Sequence, residues 1–191
     1  MKKIAIFASG NGSNAERISQ YFSQIKVADV CLILTNNPNA GVLERAERLN
    51  IPAVVFNRND FSSTNKIIDL LVTNKIDLVV LAGFLWLVPN NILQAFRKRI
   101  VNIHPALLPK YGGKGMYGER VHEAVIASGD GQSGITIHYV NEKYDEGQII
   151  FQAKVEIDAS DSPATLAAKI HELEYAHFPV VIEKVLRNMK T

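Results

Sequence analysis

Short apolar runs alternate with longer amphipathic stretches through the first hundred residues, and this alternation constrains the fold more than any other feature. The run 77–82 is apolar on both faces, which a parallel strand covered by helices on both sides requires. Strand and helix alternating at this spacing predict right-handed crossovers and a doubly wound sheet. We predict strands at 4–8, 30–34, 53–56, 77–82 and 100–103, and helices at 14–25, 42–49, 64–73 and 89–96.

The final third of the chain has a different pattern. After a helix at 120–127, two strands at 134–140 and 148–157 follow each other with only a polar, turn-rich connection between them. Direct linkage predicts an antiparallel pair added to the parallel sheet. Ser162-Pro163 suits the start of a last helix, which Pro179 should kink or divide. The fold class is therefore α/β: a single Rossmann-like, doubly wound domain over residues 1–191, mostly parallel, with an antiparallel addition near the C-terminus.

Composition excludes several classes of function. Lys plus Arg total 21 and Asp plus Glu total 19, so the net charge of +2 favours neither a nucleic-acid nor a membrane partner. One cysteine, Cys31, permits no intrachain disulfide and no cysteine metal cluster. No apolar stretch is long enough to span a bilayer, and Ser9 to Gly12 end the first apolar run too early for a signal peptide. We expect a cytoplasmic protein.

A glycine-containing loop, Gly10-Asn11-Gly12-Ser13-Asn14, lies directly between the first strand and the first helix. Glycines let the backbone approach a ligand, and a helix N-terminus offers unpaired N–H groups and partial positive charge. Phosphate is a natural ligand there. The loop is not a dinucleotide fingerprint, which needs glycine at Ala15, and it lacks the lysine of a P-loop. The alternative is a tight turn with an Asn or Ser helix cap.

Polar residues at the end of the fifth strand and in the late turn are candidates for catalysis. Asn102 and His104 share one side of a strand, where they could hold a developing oxyanion. Asp145 would raise the pKa of His104 if the added strands bring its turn close. Glu174 lies at the margin of the apolar stripe of the last helix. The alternatives are a polar strand end for Asn102 and His104, an ordinary turn residue for Asp145, and a solvated or paired side chain for Glu174.

Other residues are ambiguous or carry no functional prediction. Trp86, after the fourth strand, is either a buried loop anchor or a wall for a flat ligand. His122 and His138 have no evident partners in the sequence. His171 and His177 are six residues apart, which does not suit a shared metal on a helix. We therefore expect no metal site.

Taken together, these motifs resemble the folate-dependent formyltransferases from about residue 4 to 185. The resemblance rests on the glycine loop, Leu81-Ala82-Gly83-Phe84, Asn102-Ile103-His104-Pro105-Ala106-Leu107-Leu108-Pro109 and Asp145-Glu146-Gly147, which occur in the family's order. It implies transfer of a formyl group from the co-substrate 10-formyltetrahydrofolate to the glycyl amine of glycinamide ribonucleotide, in purine synthesis. It also implies small-molecule partners and a monomer or weak homodimer.

The resemblance assigns roles by position. It implies that Asn102, His104 and Asp145 are catalytic, with His104 protonated. Gly12, Ser13 and Asn14 would hold the ribonucleotide phosphate, and Glu174 would approach the substrate amine. The folate pocket would comprise Leu85, Trp86, Leu87, Val88, Asn102, Asn141, Asp145 and Thr64.

The sequence departs from the family at two places. The loop 111–118 differs from the shorter Tyr-Pro-Gly type, and Thr64 stands where some members have arginine, with Lys66 as a substitute. Formyltetrahydrofolate hydrolase is an alternative, although its extra N-terminal domain has no room before a strand that starts at residue 3 or 4. Methionyl-tRNA formyltransferase would need a further C-terminal domain. A nucleotide-binding module without catalysis would explain the glycine loop alone.

Overall fold

Seven strands form one mixed sheet in the computed structural model, which describes residues 1–189. The strand order is β3-β2-β1-β4-β5-β6-β7. The first five strands along the chain are parallel, β6 runs antiparallel to β5, and β7 runs antiparallel to β6. The strands are β1 (Lys2–Phe7), β2 (Ala28–Thr35), β3 (Ala53–Val55), β4 (Leu78–Leu81), β5 (Ile100–His104), β6 (Gln132–Tyr139) and β7 (Ile149–Glu156). The predicted fold class is confirmed.

Seven helices accompany these strands in the described residues, and they cover both faces of the sheet. They are α1 (Ser13–Ile25), α2 (Val42–Arg48), α3 (Arg58–Ser62), α4 (Lys66–Thr73), α5 (Asn90–Ala95), α6 (Glu119–Ser128) and α7 (Pro163–Asn188). Alternate residues of β1 enter two separate cores: Ile4 and Ile6 pack with α1, α6 and α7, whereas Ala5 and Phe7 pack with α3, α4 and α5. Burial on both faces explains the continuous apolar runs of the central strands.

The strand order reverses between β1 and β4. The chain moves outward from β1 to β2 and β3, and then returns to β4 on the other side of β1. Loops that leave the carboxyl ends of the two central strands therefore separate, and a crevice opens between them. This crevice carries the candidate site.

The helices differ from the sequence analysis at two places. The sequence analysis missed α3, a five-residue helix whose N-cap, Asn57, accepts a hydrogen bond from the Asp60 N–H. Pro179 does not divide α7, which continues to Asn188. Because proline has no N–H, the carbonyl of Tyr175 loses its helical partner, and Arg17 Nε donates to that oxygen at 3.2 Å. None of the helices between residues 1 and 189 has the length and apolarity needed to cross a bilayer.

Candidate active site

A cavity of about 710 Å³ lies beyond the carboxyl ends of β1, β4 and β5. Loop residues 10–14 line one end, which we call the glycine-loop end. Asn102, His104 and Asp145 line the other, and with His138 they form a cluster that we call the reaction end. Glu174 and His171 of α7 contribute a wall. The structure thus brings all seven predicted catalytic and ribonucleotide-binding residues to one cavity.

Close backbone packing builds the glycine-loop end. Gly12 caps α1 with φ 79°, a left-handed conformation, and no side chain in the described part of the chain caps the helix, so the alternative of an Asn or Ser cap is wrong. A Cβ at Gly12 would lie 2.4 Å from Val42 Cγ2, because the first turn of α2 packs under the loop. The N–H groups of the first turn of α1 face the cavity end, where an anion would find them unpaired.

Arg45 of α2 holds the loop from outside the cavity. Its Nε donates to the Asn11 carbonyl at 2.8 Å and its Nη2 donates to Asn11 Oδ1 at 2.6 Å. Its Nη1 pairs with Glu16 on α1. Arg48 also pairs with Glu16, at 2.9 Å, but makes no contact with Asn11. One guanidinium therefore joins α2, the loop and α1.

Glu174 is buried in the wall between the two ends. Its Oε2 accepts from Asn14 Nδ2 at 2.9 Å and pairs with His171 Nδ1 at 3.0 Å. The hydrogen bond to Glu174 raises the pKa of His171, against an opposing effect of burial. Asn14 Oδ1 is buried with no hydrogen-bond partner among residues 1–189. An unsatisfied acceptor beside a carboxylate suits a ligand that brings hydroxyl or amine donors.

His138 belongs to the reaction end, although the sequence analysis found no partner for it. The antiparallel register of β5 and β6 places Asn102 opposite His138, and Asn102 Nδ2 lies 3.0 Å from His138 Nε2. His138 Nδ1 lies 2.8 Å from the Tyr139 carbonyl. Since a carbonyl only accepts, the neutral ring carries its proton on Nδ1, and Nε2 accepts from the Asn102 amide.

His104 is buried at the end of β5. Its Nε2 lies 2.7 Å from the Tyr111 carbonyl, and its Nδ1 lies 3.5 Å from Asp145 Oδ2. Burial lowers the pKa of His104 more than the nearby Asp145 carboxylate raises it. The expectation that Asp145 keeps His104 charged at neutral pH is therefore wrong, because desolvation outweighs the attraction.

Asp145 lies in the turn between β6 and β7 with φ 57°. Its Oδ2 accepts from the Gly113 N–H at 3.0 Å, and its Oδ1 lies 3.5 Å from Asn102 Nδ2 and 3.6 Å from His138 Nε2. Burial raises the pKa of Asp145, but the effects of His138, His104 and the Gly113 N–H together lower it below its usual value. The carboxylate is therefore charged, and the Gly113 N–H donates to it.

The turn depends on one close backbone approach. A Cβ at Gly147 would lie 1.6 Å from the Tyr139 carbonyl oxygen and 3.3 Å from His138 Nδ1. Only glycine permits this approach, which brings Asp145 back over the end of β5.

The predicted folate residues are more dispersed. Leu85 lines the cavity. Trp86 packs against Phe56, Phe61 and Phe84, with the Arg58 guanidinium 3.9 Å above its ring, as a loop anchor would.

Trp86 does not line the cavity, and neither do the other four predicted folate residues, Leu87, Val88, Asn141 and Thr64. Val88 is buried in the core, and Leu87 is exposed, with its N–H donating to the Tyr144 hydroxyl at 3.1 Å. Asn141 Oδ1 accepts from the Lys143 N–H, and Thr64 is exposed and bonded to Asp60. Their contact with folate stays a prediction.

His122 is a further buried residue of the cavity. Its Nδ1 has no hydrogen-bond partner in the described part of the chain, and burial lowers its pKa. Among residues 1–189, no three His, Cys, Asp or Glu side chains are grouped so that they could hold a metal ion.

Comparison with known proteins agrees with this geometry. The family model described as formyl transferase matches residues 2–182. The chain is 44% identical over 187 residues to the chloroplastic phosphoribosylglycinamide formyltransferase of Arabidopsis thaliana; the match covers 95% of this chain but 64% of that protein. The chain thus spans less than two thirds of the plant relative.

Bacterial relatives match over nearly their whole lengths. The phosphoribosylglycinamide formyltransferase of Bacillus subtilis is 38% identical over 191 residues, covering 97% of this chain and 95% of the relative. The crystal structure of the Streptococcus pneumoniae protein of that name has a TM-score of 0.86 and 39% identity, over 97% of this chain and 99% of that one.

Proposed function

Since the chain belongs to the formyl transferase family, we propose that it transfers a formyl group from 10-formyltetrahydrofolate to the glycyl amine of glycinamide ribonucleotide, in purine biosynthesis. The observation that carries this proposal is one cavity with an anion-binding helix terminus at one end and the Asn102, His104 and Asp145 cluster at the other. A phosphorylated substrate with its reactive group distant from its phosphate fits that arrangement.

The glycine-loop end binds the phosphate. Gly12 lets the backbone turn tightly into α1, and the first-turn N–H groups, including those of Ser13 and Asn14, donate to the anion. Glu174 and the unpartnered Asn14 Oδ1 accept hydrogen bonds from the sugar hydroxyls or from the amine. The substrate amine then lies towards His104.

The reaction end carries the chemistry. The amine attacks the formyl carbon, a C–N bond forms, and negative charge develops on the formyl oxygen. The Asn102 amide nitrogen donates one of its two hydrogens to His138 Nε2. The other hydrogen has only a long contact of 3.5 Å to Asp145 Oδ1, so it is free to bind and stabilise the oxyanion. No covalent enzyme intermediate is needed.

A proton must move from the attacking nitrogen to the leaving nitrogen. Neutral His104 accepts it on Nδ1, directly or through water that Asp145 orders, and Asp145 then stabilises the imidazolium. The proton passes to N10 of the folate as the formyl C–N10 bond breaks. The products are formylated glycinamide ribonucleotide and tetrahydrofolate, and charge and protons balance.

We also propose that residues 1–191 act as a single formyltransferase domain on small molecules in the cytoplasm, as a monomer or weak homodimer that binds neither nucleic acid nor membrane. The near balance of 21 basic and 19 acidic side chains supports the proposal that the protein binds neither nucleic acid nor membrane.

The proposed function is tested by mixing the protein with 10-formyltetrahydrofolate and following deformylated folate, with and without glycinamide ribonucleotide. We expect turnover only when both substrates are present, with the formyl group recovered on the ribonucleotide. Equal turnover without the ribonucleotide, with release of formate, would show a hydrolase. Binding of the ribonucleotide without any turnover would show a nucleotide-binding module.

A further inference from the structure

A three-residue segment, Tyr111 to Gly113, contacts two titratable groups of the reaction end, His104 and Asp145. The Tyr111 carbonyl lies 2.7 Å from His104 Nε2, and the Gly113 N–H donates to Asp145 Oδ2 at 3.0 Å. Gly113 lines the cavity, whereas the Tyr111 side chain points to a smaller pocket behind it, beside Asp130 and Ser133. Tyr111 therefore touches the catalytic histidine from outside the substrate cavity.

The backbone of Tyr111 has an unfavourable conformation that something must hold. Its φ is 56°, in the left-handed region, which is unfavourable for a residue other than glycine. The phenol is tethered at the far end of α6: its hydroxyl donates to Asp130 Oδ2 at 2.7 Å and lies 2.6 Å from Ser128 Oγ. The tether holds the ring at one end of the residue, while the carbonyl at the other end contacts His104.

The carbonyl direction decides which nitrogen of His104 carries the proton in the neutral ring. Two acceptors compete for it: the Tyr111 carbonyl at Nε2, 2.7 Å away, and the Asp145 carboxylate at Nδ1, 3.5 Å away. At equal distance the charged Asp145 carboxylate would form the stronger hydrogen bond. The Tyr111 carbonyl is closer, at a normal hydrogen-bond distance of 2.7 Å, whereas 3.5 Å is long for a hydrogen bond. As long as the carbonyl stays in place, Nε2 keeps the proton and Nδ1 keeps its lone pair.

If the carbonyl turned away, the carboxylate would draw the proton to Nδ1. His104 would then present an N–H to Asp145, with no lone pair left on Nδ1, the atom that accepts the substrate proton in the proposed mechanism. We propose that Tyr111 is a positioning residue, whose hydroxyl tether to Asp130 holds its carbonyl against His104 and so selects the tautomer that accepts the proton of the substrate amine. This inference rests on the proposed function.

The test compares two variants that each remove one of the two side-chain donors that reach the Asp130 carboxylate within residues 1–189. Tyr111→Phe removes the hydroxyl and keeps the ring, whereas Lys110→Met removes the ammonium that pairs with Asp130 at 2.9 Å and leaves the tether intact. Nitrogen-15 NMR of the His104 ring in the ligand-free protein reports the tautomer directly. Steady-state kinetics with both substrates then separate kcat from KM.

We expect wild type and Lys110→Met to carry the His104 proton on Nε2 and to turn over alike. In Tyr111→Phe the Nδ1–H form should appear, and kcat should fall about 10-fold, part of the 10²- to 10⁴-fold that a general acid–base group contributes. The KM for the ribonucleotide should stay unchanged. Asp130→Ala, which removes the acceptor from the other side, should reproduce both effects if Tyr111→Phe does not fold.

An unchanged tautomer in Tyr111→Phe or, where that variant does not fold, in Asp130→Ala would overturn the proposal, as would a changed tautomer with wild-type kcat. The NMR result is independent of substrate identity, so it separates the two claims. If the wild-type protein carries the His104 proton on Nε2 but transfers no formyl group, the proposed function is contradicted, and the Tyr111–Asp130 hydrogen bond has no role in catalysis.

Discussion

The two ends of the cavity are built in different ways. The glycine-loop end is one continuous segment, residues 10–14, in which backbone groups face the ligand and α2 packs against the outer side. The reaction end is assembled from side chains of β5, β6 and the turn after β6, and it carries three titratable groups: His104, His138 and Asp145. The first end is fixed by close packing, and the second by hydrogen bonds among buried polar groups.

This difference predicts a division of tasks. Backbone donors at a helix terminus bind an anion equally in the ground state and the transition state, so the glycine-loop end should set substrate affinity. Groups that exchange protons with the substrate act only as the reaction proceeds, so the reaction end should set kcat.

The strongest test of this division is Asp145→Asn. The amide keeps the size and hydrogen bonding but removes the charge that stabilises protonated His104, so kcat should fall by about 10²- to 10⁴-fold. Affinity for both substrates should change little, since the loss is confined to the chemical step. Single-turnover kinetics and calorimetry measure the two quantities.

The matched control is Glu146→Gln, which removes a carboxylate from the same turn. Among residues 1–189, Glu146 pairs only with Lys143, at 3.1 Å, with both side chains largely exposed, and its variant should turn over like wild type. If Asp145→Asn turns over within about threefold of wild type, against the expected loss of at least about 10²-fold, Asp145 is a turn residue alone.

At the glycine-loop end, Arg45→Ala should weaken ribonucleotide binding. The variant loses both hydrogen bonds to Asn11, which are charge-assisted and contribute about 1.5 kcal/mol or more each, and the loop should lose part of its preformed shape. We expect the KM for the ribonucleotide to rise about 10-fold, with kcat and folate affinity nearly unchanged.

Arg48→Ala is the control for this prediction. It removes the second cation from Glu16 and leaves Asn11 untouched, so the KM for the ribonucleotide should stay within about twofold of wild type, as expected for an exposed ion pair. Equal effects of the two variants would mean that Arg45 acts through Glu16 rather than through the loop. Gly12 is a poor site for such a test, because any Cβ there would clash with Val42.

The smallest expected effect concerns pH and stability. Burial lowers the pKa of His104 and His122, so the unfolded chain, with histidine near 6.5, binds more protons than the folded protein below that pH. The free energy of unfolding should therefore decrease as pH falls from 7 to 5, by at most about 1.4 kcal/mol per pH unit for each such histidine. His171, with a raised pKa, opposes this slope.

Asp145 does not contribute in that window. Its folded pKa is lowered, so its stabilising effect is complete above its unfolded pKa of about 3.9 and is lost only below it. Urea unfolding at pH 7, 6 and 5 measures the slope, and His122→Gln should reduce it. A slope that His104→Gln and His122→Gln both leave unchanged would contradict the burial effect.

The sequence predicted the glycine-loop end better than the reaction end, and the reason is physical. The loop 10–14 is contiguous, and the strand before it and the helix after it are both visible in the hydrophobic pattern. Asn102 and His104 were found because alternation along a single strand places them together. The pattern also predicted that 134–140 pairs with 148–157.

What the pattern did not predict is that β6 also pairs with β5. That pairing places His138 opposite Asn102 and Thr136 opposite His104. The signal in the sequence that could have revealed it was this second pair of polar residues, two apart in the predicted strand 134–140. The hydrogen bond to the Tyr175 carbonyl, which has no helical partner because of Pro179, comes from Arg17, 158 residues away in the chain. Contacts of this kind depend on tertiary packing, and local periodicity does not reveal them.

The most direct test of the division between the two ends compares glycinamide ribonucleotide with the same molecule lacking its phosphate. The hydrogen bonds from the Ser13 and Asn14 N–H groups to the phosphate are charge-assisted and together contribute about 3 kcal/mol or more. We therefore predict that kcat/KM of the wild-type protein is at least about 10²-fold lower for the molecule without phosphate, mainly through a higher KM. Equal kcat/KM for the two substrates would contradict the account, because the glycine-loop end would then not be the phosphate site.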